Sequence, residues 1–191
     1  MSRVGLSRSV VLDTAARLAD RDGLGALTVS AVARELGVRA PSLYSHVQNA
    51  EDLRAGVSAV ALTELADRVD RALAGLAGRD ALGALADTHR RYAREHPGRY
   101  AAAGVLDPAS SHDLVQVGRR HAEQLLAVLR GYAVPPEDRV HAVRLVASVV
   151  RGFVDLEVGG ALAGSEPPAA ESWPRVLERL DHALRTWEAH P

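Results

Sequence analysis

Polar side chains at residues 28–47 have the types and spacing of an element that reads nucleic acid. The segment reads TVSAVARELGVRAPSLYSHV, which predicts a short helix, a turn led by Gly37 and a second short helix from about Pro41. Arg39, Ser42 and Tyr44 then project from the second helix, and guanidinium and hydroxyl groups hydrogen-bond base edges and phosphates. The spacing is typical of a helix-turn-helix that enters the major groove, although a generic helical hairpin explains the apolar positions equally well.

A helix must lie beneath this segment to hold it. Val32, Leu36, Leu43 and Val47 fall at helical spacing and are expected to face Leu18 on a preceding helix. Ser7 is a suitable N-cap for that first helix, and Gly23 ends it. Thr28 is a suitable cap for the second helix. These signals predict a three-helix head over residues 1–50.

Apolar spacing is helical in the rest of the chain, and no alternating run indicates a strand. Asn49 is the predicted cap of a long fourth helix, Pro97 is expected to end the fifth, and a final helix is predicted from Ser172 to about Ala189. The predicted fold is all-α with about nine helices. A helix-turn-helix domain at residues 1–50 precedes a helical-bundle domain for effector binding and dimerisation at residues 51–191.

Composition excludes several classes of site. The 191 residues contain no cysteine, which excludes disulfides, thiolate metal sites and cysteine nucleophiles. All 23 basic residues are arginine, so any phosphate contact from a charged side chain uses a planar guanidinium. The chain carries a net charge of −1. The segment of residues 1–50 is mildly basic, and the rest of the chain is acidic. This asymmetry is compatible with DNA binding by the head.

The sequence predicts no enzyme, cofactor or metal site. It contains no G-x-S-x-G, phosphate loop or H-E-x-x-H. His89 and His96 have no carboxylate at the spacing a metal site would need. No apolar run reaches the length of a membrane helix, and no apolar leader is visible at the N-terminus. A soluble, cytoplasmic protein without a membrane partner is expected.

Residues 6–53 resemble the DNA-binding head of the tetracycline-repressor (TetR) family of bacterial transcription regulators. The resemblance rests on the A-A-x-L-x-x-x-x-G run that ends at Gly23, the L-T-V-x-x-V-A-x-E-L-G-V block, and S-L-Y-S-H-V followed by E-D-L. It implies contacts with a double-stranded DNA operator. Phosphate contacts are implied for Thr28, Ser30, Tyr44 and His46, and contacts to base edges or the adjacent backbone for Arg39, Ala40, Pro41 and Ser42. Leu43 is implied to be a core residue.

Two positions depart from the pattern of this family. Arg39 stands where the family often has serine or threonine, and its guanidinium is suited to a bidentate contact with guanine. Ala50 stands where many relatives have a phosphate-binding lysine, so Arg3, Arg8 and Arg54 are the candidates to replace that anchor.

Residues 90–100 and 150–162 resemble a C-terminal regulatory domain of this family, the WHG type, with Arg151–Gly152 in place of its usual His-Gly. The resemblance implies a ligand cavity enclosed by the fifth to eighth helices and dimerisation through the last two. The candidate residues of an effector pocket are His89, Tyr92, His96, Tyr100, Phe153 and Trp173, and a structural core role is the alternative for each. Two apolar stripes at residues 140–156 independently indicate a buried partner face, for which a homodimer is the first expectation.

The leading hypothesis is a homodimeric repressor that a small-molecule effector releases from a pseudo-palindromic operator. Two alternatives stay open: a DNA-binding protein that needs no effector, and an all-α small-molecule-binding bundle without enzymatic activity.

Overall fold

A computed structural model describes residues 5–104 and 112–188, and every described element is helical. The eight α-helices are α1 Arg8–Asp22, α2 Val29–Glu35, α3 Ala50–Leu73, α4 Gly78–Glu95, α5 Pro97–Ala103, α6 His112–Leu129, α7 Arg139–Val158 and α8 Ala169–Arg185. Short 3-10 helices cover Leu24–Ala26, Ala40–Leu43 and Pro136–Asp138. The all-α prediction is confirmed, and the predicted third helix is the 3-10 helix Ala40–Leu43.

Capping residues begin the helices where the sequence predicts. The Ser7 hydroxyl accepts a hydrogen bond from the Val10 N–H at 3.3 Å, and the Asn49 Oδ1 accepts one from the Asp52 N–H at 2.8 Å. The chain leaves α4 after Glu95 and begins α5 at Pro97, because proline lacks the N–H that a helix interior requires but a first turn does not.

The chain packs into two compact units. The first comprises the residues up to Glu64 together with residues 95–118, and the second comprises residues 65–94 and those from 119 onward. The division therefore falls inside α3. The predicted domain boundary at residue 50 is a division of function and stays a prediction.

An apolar core fixes the arrangement of the first unit. Val11, Ala15 and Leu18 of α1 are buried against Leu43 and Val47, as the helical spacing predicts. Each fully buried leucine or valine stabilises the fold by roughly 1.5–3 kcal/mol relative to an exposed one. On another side of α1, Gly98 lets α5 approach so closely that a Cβ at this position would overlap the backbone of Ala19.

The apolar residues of α7 are distributed differently from the two predicted stripes. One line of residues spaced by four is buried in the second unit: Ala142, Val146, Val150 and Val154. This line includes members of both predicted stripes. Each step of four residues goes slightly beyond one helical turn, so the line moves gradually from one stripe to the other. Val140 and Leu156 are 54% and 50% exposed. In the described parts of the chain, no helix combines the length and apolar character needed to cross a membrane.

Candidate nucleic-acid interface

The helix-turn-helix begins at the N-cap of α2. The Thr28 hydroxyl accepts a hydrogen bond from the Ala31 N–H at 3.0 Å, so Thr28 fixes where the helix starts. Thr28 and Ser30 are both exposed. After α2 the chain turns at Gly37, whose φ of 66° favours glycine, and the Val38 N–H bonds the Ala33 carbonyl at 3.0 Å.

The second element of the motif is short and tightly wound. The Ser42 N–H donates to the Arg39 carbonyl at 2.9 Å and the Tyr44 N–H to the Pro41 carbonyl at 3.3 Å, which are i→i+3 bonds of a 3-10 helix. Leu43 is fully buried, as the resemblance implies. The backbone of this element therefore stands on the apolar core of the first unit.

The predicted DNA-contact side chains surround that buried leucine. Tyr44 is 56% exposed, Arg39, Pro41 and Ser42 are exposed, and Ala40 and His46 are half-buried. All eight predicted contact residues belong to the first unit, and none of them is fully buried. What they contact on DNA stays a prediction.

An ion-pair network holds the chain that follows the 3-10 helix. The Arg8 guanidinium donates to the His46 carbonyl at 2.6 Å and pairs with the Asp52 carboxylate at 2.7 Å. Asp52 also accepts the Gln48 N–H at 2.8 Å. The hydrogen bond from Arg8 lowers the pKa of the Asp52 carboxyl below its ordinary value, since it favours the charged form.

This network involves one of the arginines expected to replace the phosphate-binding lysine that many relatives have where this chain has Ala50. The Arg8 guanidinium pairs with Asp52 while its side chain stays 48% exposed, and a phosphate contact by Arg8 stays a prediction. Arg54 is exposed on α3. Arg3 lies outside the described residues.

The six predicted effector-pocket residues divide between the two units. His96 and Tyr100 belong to the first unit, where the His96 Nδ1 lies 3.2 Å from Asp20 Oδ2 and Tyr100 is buried. His89, Tyr92, Phe153 and Trp173 belong to the second unit. That all six line one pocket stays a prediction.

Within the second unit, the aromatic members of that set take part in helix packing. The Phe153 and Trp173 ring centroids lie 5.0 Å apart, and the Trp173 indole N–H donates to Asp87 Oδ1 at 2.6 Å. Tyr92 is fully buried, with the Arg68 guanidinium 4.8 Å from the centre of its ring. His89 packs edge-on to His121 at 6.2 Å, and burial, with the charges of His121 and Arg151, lowers the pKa of His89 to about 3.

A polar cluster that sequence reasoning missed joins α4, α7 and α8. Glu157 receives two hydrogen bonds from Arg90, at 2.6 and 2.8 Å, and one from Arg94 at 2.9 Å. The Arg90 guanidinium also lies 5.1 Å from the centre of the Trp173 ring. Arg90 and Glu157 are 67 residues apart, so no local spacing indicates the pair.

An apolar groove runs between α7 and α8. Its volume is about 430 Å³, and it is lined by Leu145, Val149, Ser172, Arg175, Val176, Arg179, Leu180 and Ala183. No group of three or more potential metal-ligating side chains occurs within residues 5–104 and 112–188.

Comparison with known proteins assigns the two halves of the chain. Residues 11–57 match the model described as "Bacterial regulatory proteins, tetR family", and residues 82–180 match "Tetracyclin repressor-like, C-terminal domain". An uncharacterized HTH-type transcriptional regulator of Mycobacterium tuberculosis, Rv0681, is 36% identical over 162 residues, which cover 82% of this chain and 72% of that protein. YobS of Bacillus subtilis, named in the same way, is 29% identical over 185 residues, 97% of this chain and 92% of that one.

The fold has a solved counterpart along its whole length. A TetR variant from Acinetobacter baumannii in complex with minocycline superposes with a TM-score of 0.72 at 22% identity, covering 97% of this chain and 100% of that chain. The C-terminal model alone spans more than half of the residues, and the head model covers the helix-turn-helix described above. The chain belongs to the TetR family of bacterial helix-turn-helix transcriptional regulators.

Proposed function

We propose that this protein is a homodimeric cytoplasmic repressor that binds a pseudo-palindromic operator and leaves it when a small-molecule effector binds. The observation that carries the proposal is the contrast between adjacent residues of the 3-10 helix. Leu43 is fully buried, whereas Ser42 and Tyr44 are exposed on either side of it. A rigid base under an exposed polar surface is what major-groove reading requires.

The exposed side chains divide by chemistry into two roles. Thr28, Ser30, Tyr44 and His46 carry hydroxyl or imidazole groups suited to phosphate oxygens, which fix register without reading sequence. Arg39 is the strongest candidate for base reading, because its guanidinium matches the O6 and N7 acceptors of guanine. Ala40, Pro41 and Ser42 complete the surface that meets the base edges.

Dimerisation through α7 and α8 is proposed to give the protein the two-fold symmetry that matches a pseudo-palindromic operator. The apolar groove between these helices and the exposed Leu156 support an interface here. A two-fold dimer would present two recognition elements to successive major grooves, about 34 Å apart or a multiple of that distance.

Release by an effector needs only a modest coupling. A small molecule that distinguishes two states of the dimer by about 1–3 kcal/mol changes operator affinity roughly 5- to 150-fold. The structural neighbour from A. baumannii was solved with minocycline, and this supports a small-molecule effector for a relative with the same fold.

A gel-shift assay with the DNA flanking the gene tests operator binding. Retardation should weaken as salt rises, because phosphate contacts release counterions. Tyr44→Phe should weaken binding to all sequences alike, whereas Arg39→Ala should change which half-site is preferred. Arg71→Ala, which removes an exposed arginine from the second unit, is the matched control. Unchanged base preference in Arg39→Ala would show that Arg39 does not read bases.

Sedimentation equilibrium tests the dimer. Val149→Glu places a charge in the α7–α8 groove and should shift the protein toward monomer, since an unpaired charge is costly to bury. Leu126→Glu makes the same kind of change on α6, where the side chain is 39% exposed, and should leave the mass unchanged. A monomeric wild type would reject this part of the proposal.

A further inference from the structure

A second cleft lies within the second unit, between the end of α3, the start of α4 and the second half of α6. Its volume is about 630 Å³, which suits a drug-sized molecule. Its apolar lining includes Leu73, Leu76 and Ala127. Its polar lining comprises Asp70, Arg120, Glu123, Gln124 and Arg130. None of the six effector-pocket residues predicted from sequence lines this cleft.

Gln124, in the polar lining of the cleft, carries a hydrogen-bond acceptor that has no partner in the described part of the chain. The side chain is 5% exposed, and its amide nitrogen donates to the Ala66 carbonyl at 2.8 Å and to Asp70 Oδ1 at 2.6 Å. These two bonds fix the orientation of the amide, because a flipped amide would set oxygen against oxygen. Gln124 Oε1 is buried and has no hydrogen-bond partner within the described residues. A buried acceptor of this kind is costly unless a donor reaches it.

The Asp70 carboxylate beside Gln124 also favours a donor. Arg120 is shared by two carboxylates, at 2.7 Å from Asp67 and 3.0 Å from Asp70. Burial raises the pKa of the Asp70 carboxyl, but the hydrogen bonds from Gln124 and Arg120 outweigh it and hold that pKa below its ordinary value. Asp70 is therefore ionised at neutral pH, and its carboxylate lines the cleft as a second acceptor beside Gln124.

The end of the cleft is held by a direct backbone contact. Gly78 begins α4 and Gly131 follows α6, and a Cβ built at Gly131 would overlap the Gly78 backbone. This contact and the Asp70–Arg120–Gln124 cluster tie α6 to α3 and α4 at separate points. The cleft is therefore preformed.

We propose that this cleft binds an apolar molecule that carries an amine, with the apolar body against Leu73 and Leu76 and the amine N–H groups donating to Gln124 Oε1 and the Asp70 carboxylate. The inference that an effector acts at this cleft depends on the proposed regulatory function. The inference that the cleft binds such a molecule depends only on the groups described above.

Isothermal titration calorimetry of the full chain at pH 7.5 tests the site with three probes of equal length: octylamine, octanol and octanoate. Octylamine should bind at least tenfold more tightly than octanoate, because Gln124 Oε1 and the Asp70 carboxylate accept hydrogen bonds that octanoate cannot donate, and octanol should lie between them. Octanoate binding as tightly as octylamine would overturn the proposal.

Two tryptophan substitutions on α6 locate the binding. Ala127→Trp fills the cleft and should weaken octylamine binding at least tenfold, whereas Ala122→Trp lies on the same helix outside the cleft lining and should leave it unchanged. Gln124→Met removes the acceptor at similar volume and should also weaken octylamine binding about tenfold. Wild-type affinity in both Ala127→Trp and Gln124→Met would overturn the assignment. The comparison of the three probes uses wild-type protein and holds even where a variant fails to fold.

A parallel gel shift separates this inference from the proposed function. Operator retardation without octylamine binding rejects the cleft and leaves the repressor proposal standing. Octylamine binding that Ala127→Trp abolishes, in a protein that retards no DNA, supports the ligand site and rejects the regulation.

Discussion

The helix-turn-helix region and the second unit both have apolar cores, and they differ in where their ion pairs lie. Under the recognition element the buried side chains are apolar, and the ion pair between Arg8 and Asp52 lies toward the surface, with the Arg8 side chain 48% exposed. In the second unit the Arg90 and Glu157 side chains are only 13% and 12% exposed. Apolar packing supports a surface that must keep its shape, whereas polar pairs specify which helix faces meet.

Leu43→Ala should give the largest loss of stability. Removing a fully buried leucine leaves a cavity and should lower the free energy of unfolding by about 3–4 kcal/mol. Urea unfolding followed by circular dichroism measures the loss, and operator binding should disappear with it. Ser42→Ala, one residue away and exposed, is the control and should unfold like wild type. A Leu43→Ala protein of wild-type stability would contradict the account of an apolar base.

Glu157→Ala should cost slightly less, about 3 kcal/mol, because it leaves the half-buried Arg90 without its main carboxylate. The double variant Arg90→Met with Glu157→Leu sharpens the comparison. Apolar replacement of the pair should recover most of the lost free energy of unfolding, since desolvation offsets much of the attraction between buried charges. A double variant no more stable than Glu157→Ala would mean that the second unit depends on the pair for stability itself.

His89→Gln should change how stability responds to acid. The folded-state pKa of His89, about 3, lies below the unfolded value of about 6.5, so the unfolded state binds more protons between these limits. Stability from neutral His89 is therefore complete above pH 6.5 and falls with pH, by about 2 kcal/mol at pH 5. Urea unfolding at pH 7.5 and 5.0 should show a smaller acid loss in His89→Gln than in wild type. His141→Gln, at an exposed position, should lose as much as wild type.

Local features of the fold were predictable from sequence because they depend on neighbouring residues. Helical spacing placed Leu43 inside and Tyr44 outside, and capping chemistry placed the start of α2 at Thr28. Arg151 and Asp155 have the spacing of four that places two side chains on one face of a helix, and they form an ion pair at 2.7 Å.

Features that depend on distant partners were not predictable. Arg90 and Glu157 are ordinary surface residues by type, and only the meeting of α4 with α7 buries them together. By residue type, Gln124 is likewise expected at the helix surface. In the structure its amide nitrogen donates to the Ala66 carbonyl and to Asp70. Which residues of the two α7 stripes are covered within the chain was not predictable for a related reason, since the side of an apolar helix that is covered depends on its neighbours.

The positions of the indole rings make the two units optically distinct. Both tryptophans of the chain, Trp173 and Trp187, lie in the second unit, where each donates its N–H to a carboxylate, of Asp87 and Asp138 respectively. Intrinsic indole emission therefore reports on the second unit alone, without any label. Unfolding of the helix-turn-helix would not change that signal. A difference between the unfolding curves from emission and from ellipticity would therefore show that the two units unfold at different temperatures or rates.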